Sequence, residues 1–189
     1  MSVTARILLG IVAVALVSTI GDYIWYHYGV RHQMVTGIFH GAALLAAVGA
    51  VIGVPSGRVL AGIPVGALAG VSGALVYYGI VTLGGRGSST TAMVIAWATL
   101  WVMLAMLDGR VLRGPIVRDW KPIFIRGFIA AALGGVAFYL MMDTLWGRPP
   151  AGGRNYLTQF GAWLVAWAPG LLVLTLGGVV RPDDGHSQG

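Results

Sequence analysis

Six stretches of mainly apolar residues, separated by short polar links, limit the folds that are open to this chain. A helix needs about 20 consecutive apolar residues to cross the hydrocarbon core of a bilayer. Because the bilayer core offers no water to backbone polar groups, helices that satisfy their own hydrogen bonds are the expected structure. The chain is therefore predicted to be an all-α, polytopic membrane protein with six transmembrane helices. The predicted spans cover residues 5–26, 35–54, 60–83, 91–112, 123–145 and 156–179.

The composition supports the same class. Hydrophobic residues make up 57% of the chain and charged residues only 10%, whereas an average soluble domain carries about 25% charged residues. A soluble globule is excluded on that ground, and disorder is excluded because it requires low hydrophobicity. The chain has no cysteine, which excludes disulfides, thiolate metal sites and thiol catalysis.

The links between the spans are too short to hold a second domain. We therefore expect one six-helix transmembrane domain over residues 1–180, in which helices that follow each other pack antiparallel. Residues 181–189 are polar and are predicted to form a flexible cytoplasmic tail.

The basic residues predict the orientation of the bundle. The net charge is +6, but the basic residues lie near the span ends, where contact with anionic lipid headgroups is expected and nucleic acid is not. Eight of them lie on the side that also holds both termini, and four lie on the other side. By the positive-inside rule both termini are cytoplasmic, and we expect the cytoplasmic membrane of a bacterium.

Rows of small residues predict close helix packing. Gly62, Gly66, Gly70 and Ala74 recur every four residues in the third span, so they share one helix face and allow another backbone to approach. The second and fifth spans carry similar rows. A tight bundle with little lumen is expected, and homodimerisation through such a face is the alternative use of a row.

Two inverted three-helix repeats are one interpretation of the six spans. A shift of 86 residues places Asp22 on Asp108 and His40 on Arg126. Because each half would hold an odd number of spans, the halves would have opposite orientations, as in many transporters. The alternative is chance, since glycine and alanine matches are frequent in so biased a sequence.

Polar residues inside spans are functional candidates because they are costly in a membrane. Asp22 and His40 lie at similar distances from the turn that joins the first two spans, so we expect them to face each other at one depth. Asp143 is placed in the same outer half. The sequence predicts either an outward-facing substrate pocket or a purely structural polar clamp. The candidate substrate-binding residues are Asp22, His40, Asp143, Arg148 and Arg154.

Two further polar groups complete the set of candidates. At the cytoplasmic side, Asp108 and Arg126 are predicted to form an ion pair. His27 and His32 are five residues apart, but their spacing is not that of a zinc site, which requires three protein ligands. We therefore expect no metal and no cofactor.

Three functions remain open. The first is a small-solute or lipid transporter with an outward Asp/His pocket. The second is a non-catalytic structural or assembly subunit of a membrane complex, and the third is an intramembrane Asp/His enzyme, with or without a metal. The expected partners are membrane lipid, a small-molecule or lipid substrate, and either another membrane protein or a second copy of the chain. A cavity that reaches Asp22 and His40 would favour the transporter, whereas a fully packed interior would favour the subunit.

Overall fold

The structure is a computed structural model that describes residues 2–28, 33–112, 120–147 and 153–176. These residues form six long helices. All six are long and apolar enough to cross a membrane. The prediction of an all-α bundle of six membrane-spanning helices is confirmed, and the helix ends lie close to the predicted ones. The helices are α1 (Val3–Tyr28), α2 (Gln33–Ile52), α3 (Val59–Gly84), α4 (Ser89–Leu107), α5 (Trp120–Trp146) and α6 (Tyr156–Leu176).

Short helical turns extend α4 at both of its ends. A 3₁₀ turn at Arg86–Ser88 joins α3 to α4, and a π-helical turn at Asp108–Leu112 follows α4. The π-helical turn continues the fourth span to the end that the sequence predicted. Residues 181–189, the predicted tail, lie outside the described residues.

The helices form a closed ring in the order of the sequence. Each helix packs against the next one along the chain, and α1 packs against α6 to close the ring. Because consecutive helices are antiparallel, the ends of α1, α3 and α5 lie beside the beginnings of α2, α4 and α6. We call this end of the bundle the cavity end, because an interior cavity lies towards it, and we call the other end the opposite end.

Glycines bring the backbones of α2 and α3 into direct contact, as the row of small residues predicted. A methyl group built on Gly49 would lie 2.6 Å from the backbone nitrogen of Gly66, and one built on Gly41 would lie 3.2 Å from the carbonyl oxygen of Gly70. In α5, a methyl group on Gly127 would lie 3.0 Å from Cβ of Ala105 in α4. These rows are therefore used within the bundle.

The two halves of the interior differ. Buried aliphatic side chains from four helices fill the half towards the opposite end, namely Ile7, Ile11, Val14, Val48, Ile52, Leu104, Leu171 and Leu174. The half towards the cavity end holds a cavity of about 460 Å³. The sequence predicted a bundle with little lumen, whereas this half contains a cavity that large aromatic side chains line.

Candidate functional site

The cavity is lined by side chains from all six helices. It reaches the cavity end of the bundle at Ser89 and Trp146, and it ends in the middle of the bundle at Leu45, Leu100 and Trp167. Asp22 and His40 both line it. The cavity thus joins two of the predicted site residues in one space that extends to one end of the bundle.

The carboxylate of Asp22 is held by two donors from α6. Its Oδ2 accepts hydrogen bonds from Gln159 Nε2 at 2.5 Å and from Trp163 Nε1 at 2.7 Å. One turn earlier in α1, Ser18 Oγ accepts a hydrogen bond from Trp167 Nε1 at 3.0 Å. Residues four apart share a helix face, so the three donors on α6 and the two acceptors on α1 form one continuous polar seam.

His40 lies over Gly21 and contacts the cavity without a described hydrogen bond to Asp22. A methyl group on Gly21 would lie 2.7 Å from His40 Nδ1, and the His40 ring centroid is 6.4 Å from that of Trp25. Both side chains line the cavity, but among the described residues they do not hydrogen-bond to each other directly. Neighbouring residues on a helix point about 100° apart, so with Gly21 facing α2, Asp22 faces α6.

The structure does not bring Asp143 into the cavity. Phe138, Met142 and Trp146 are the α5 residues that line it, and they recur every four residues on one face. Asp143 follows Met142 by one residue, lies on another face and is exposed. Its place among the substrate-binding residues was argued from depth alone and is not supported by the geometry.

Arg154 holds helix ends together outside the cavity. Its guanidinium donates hydrogen bonds to the carbonyl oxygens of Leu145 at 2.7 Å and Gly147 at 2.9 Å, and to the hydroxyl of Tyr26. It also stacks over the Tyr26 ring at 3.8 Å. Arg154 therefore links the ends of α1 and α5 just before α6 begins. Arg148, the remaining predicted site residue, lies outside the described residues.

Aromatic side chains form the inner wall of the cavity. The Trp97 ring stacks on Phe138 with centroids 4.2 Å apart and lies 4.8 Å from the Trp167 ring. Trp163 stacks on Trp167 at 6.1 Å. Sequence reasoning missed this wall and the partners of Asp22, although Gln159, Trp163 and Trp167 recur every four residues in the sixth span. That recurrence was the available signal.

The predicted ion pair between Asp108 and Arg126 is confirmed at the opposite end. Arg126 Nη2 donates to Asp108 Oδ2 at 2.7 Å, and Asp108 is fully buried in the π-helical turn. The two aspartates of the predicted repeat therefore have different partners, a guanidinium for Asp108 and neutral donors for Asp22. The repeat itself stays a prediction.

The described residues contain no group of three or more His, Cys, Asp or Glu side chains that could hold a metal ion. Comparisons with models of protein families, with curated proteins and with solved structures gave no match to this chain.

Proposed function

We propose that this protein transports a small solute or lipid across the membrane and that the cavity is its substrate site. The observation that carries this proposal is a cavity that all six helices line, that reaches Asp22 and His40, and that is closed by buried aliphatic side chains on one side. A site near the middle of a helical bundle, open to one side at a time, is what alternating access requires.

A second cavity supports the proposal that the substrate is soluble in the membrane. This space of about 340 Å³ lies between α4 and α5 and is flanked by the exposed side chains of Val94, Val136 and Tyr139. It shares four lining residues with the central cavity, namely Met93, Trp97, Phe138 and Met142. Because methionine side chains are flexible, this wall could open to admit a lipophilic compound from the bilayer.

The alternatives have less support. A structural or assembly subunit has no need of an open cavity, and the described residues offer no separate observation in favour of that function. An intramembrane metal enzyme would require a cluster of ligands that the described residues do not contain.

Two single cysteines on α3 test the proposal, since the chain has none of its own. Ala74 lines the cavity, whereas Ala69 is fully buried and lies one turn beyond the cavity-lining Gly73 on the same helix face. Each variant, Ala74→Cys or Ala69→Cys, is reconstituted and treated with a membrane-impermeant thiol reagent from either side.

We expect Ala74→Cys to react from the cavity end. Ala69→Cys should be protected from that end and should react from the opposite side, because a transporter has to expose its site to both sides in turn. Failure of Ala69→Cys to react from either side, in a protein that is folded, would contradict alternating access and favour the structural subunit.

A further inference from the structure

Taking the cavity as the substrate site of a transporter, as proposed above, we infer that its substrate is a lipophilic organic monocation. The carboxylate of Asp22 would hold the cationic group, and the aromatic wall would hold the apolar remainder. The geometry of the carboxylate, the lack of an ion pair to Asp22 among the described residues and the chemistry of the wall each lead to this class of ligand.

The Asp22 carboxylate keeps one oxygen available. Both of its described hydrogen bonds end on Oδ2, and an ionised carboxylate accepts hydrogen bonds or pairs with cations at both oxygens. Among the described residues, Oδ1 receives no hydrogen bond, while the residue lines the cavity. Gln159 and Trp163 therefore fix the orientation of the carboxylate without neutralising its charge.

No described cation forms an ion pair with Asp22. Arg154 lies at the same end of the bundle, but its guanidinium is engaged by two carbonyl oxygens and by Tyr26. The described residues that line the cavity include neither lysine nor arginine. An ionised side chain inside a membrane is costly unless it is paired, so a ligand that carries one positive charge complements this wall.

The remainder of the wall selects an organic cation over a metal ion. Nine aromatic side chains line the cavity that Asp22 also lines, among them Trp25, Tyr77, Trp97, Trp163 and Trp167. Aromatic ring faces attract organic cations such as quaternary ammonium groups, whereas Ca²⁺ and Mg²⁺ require several oxygen ligands. The volume of about 460 Å³ suits a small ligand of drug-like size.

Equilibrium binding to the full chain in lipid nanodiscs tests the inference. The probes are benzyltrimethylammonium and neopentylbenzene, which has the same shape but carries carbon in place of the charged nitrogen. Empty nanodiscs correct for partitioning into lipid. The variants are Asp22→Asn, which removes the charge but keeps an acceptor for Trp163, and Asp143→Asn, which makes the same change at an exposed position outside the cavity.

We expect the unmodified protein to bind the cation at least about tenfold more tightly than the uncharged isostere, as a carboxylate and aromatic faces together imply. Asp22→Asn should abolish this preference, and Asp143→Asn should retain it. The cation site would be overturned if the two probes bound equally, if neither bound, or if the preference for the cation survived Asp22→Asn. If Asp22→Asn does not fold, the comparison of the two probes on the unmodified protein still tests the cation site.

Flux measurements in proteoliposomes separate this inference from the proposed function. Saturable binding of the cation without any flux would refute transport and support the cation site. Protein-dependent flux of benzyltrimethylammonium that is unaffected by Asp22→Asn would refute the cation site and support transport.

Discussion

The buried aspartates Asp22 and Asp108 are stabilised in two different ways. Asp108 is paired with a guanidinium, so its charge is balanced within the protein. Asp22 is held by an amide and an indole, neither of which carries a charge. Removing one member of a buried ion pair is strongly destabilising. A substitution that breaks the pair between Asp108 and Arg126 is therefore expected to lower the stability of the protein considerably.

Arg126→Gln should lower the free energy of unfolding by about 3 kcal/mol, because the buried Asp108 carboxylate would lose the guanidinium of Arg126 as a partner. Reversible denaturation of the purified protein measures the effect. Asp108→Asn with Arg126→Gln should recover part of the loss, since neither charge remains. If the double variant is destabilised by the sum of the two single changes, the residues are not coupled and the prediction fails.

At the scale of the element, the contact between α2 and α3 depends on glycine. Lipid tails are as apolar as leucine, so helices in a bilayer gain little from the hydrophobic effect and associate by close packing. A methyl group on Gly66 would lie 2.8 Å from the backbone nitrogen of Gly49, whereas one on Gly79 would meet nothing within 4 Å. The same helix thus offers both a contact position and a matched control.

Gly66→Ala should destabilise the protein by about 1–3 kcal/mol, the usual cost of overpacking. Gly79→Ala should instead be neutral or stabilising by up to about 1 kcal/mol, because alanine has the higher helix propensity. Thermal denaturation of both variants in one detergent makes the comparison. Equal stability of the two would show that α2 and α3 are not in backbone contact.

For the whole molecule, the orientation in the membrane decides which compartment the cavity faces. The ring order places the ends of α1, α3 and α5 together with the cavity. The excess of basic residues predicts that the termini, at the other side, are cytoplasmic. The cavity would then open to the exterior.

Topology reporters test this orientation. A fusion after Gly189 and an insertion at Ser56, between α2 and α3, should report the cytoplasm, whereas an insertion at Ser88, between α3 and α4, should report the exterior. Fusions with the reverse pattern would show that the cavity opens to the cytoplasm and that the charge bias was misread.

The sequence by itself determined the number, length and apolar character of the helices, because a bilayer demands about 20 apolar residues per span. It also determined contacts between neighbouring spans, as in the glycines of α2 and α3 and the pairing of Asp108 with Arg126. Counting residues along a helix gives the depth of a side chain in the membrane. This count placed Asp22 and His40 at one depth, and both line the same cavity.

Rotation about each helix axis was decided only by the tertiary structure. In a soluble helix an apolar stripe marks the buried face, but these helices are apolar on nearly all faces, because lipid and protein interior are similarly apolar. Hence the sequence could not show that Asp22 faces Gln159 and Trp163, or that Asp143 points away from the cavity. The cavity depends on how six helices close a ring, and no local pattern encodes that packing.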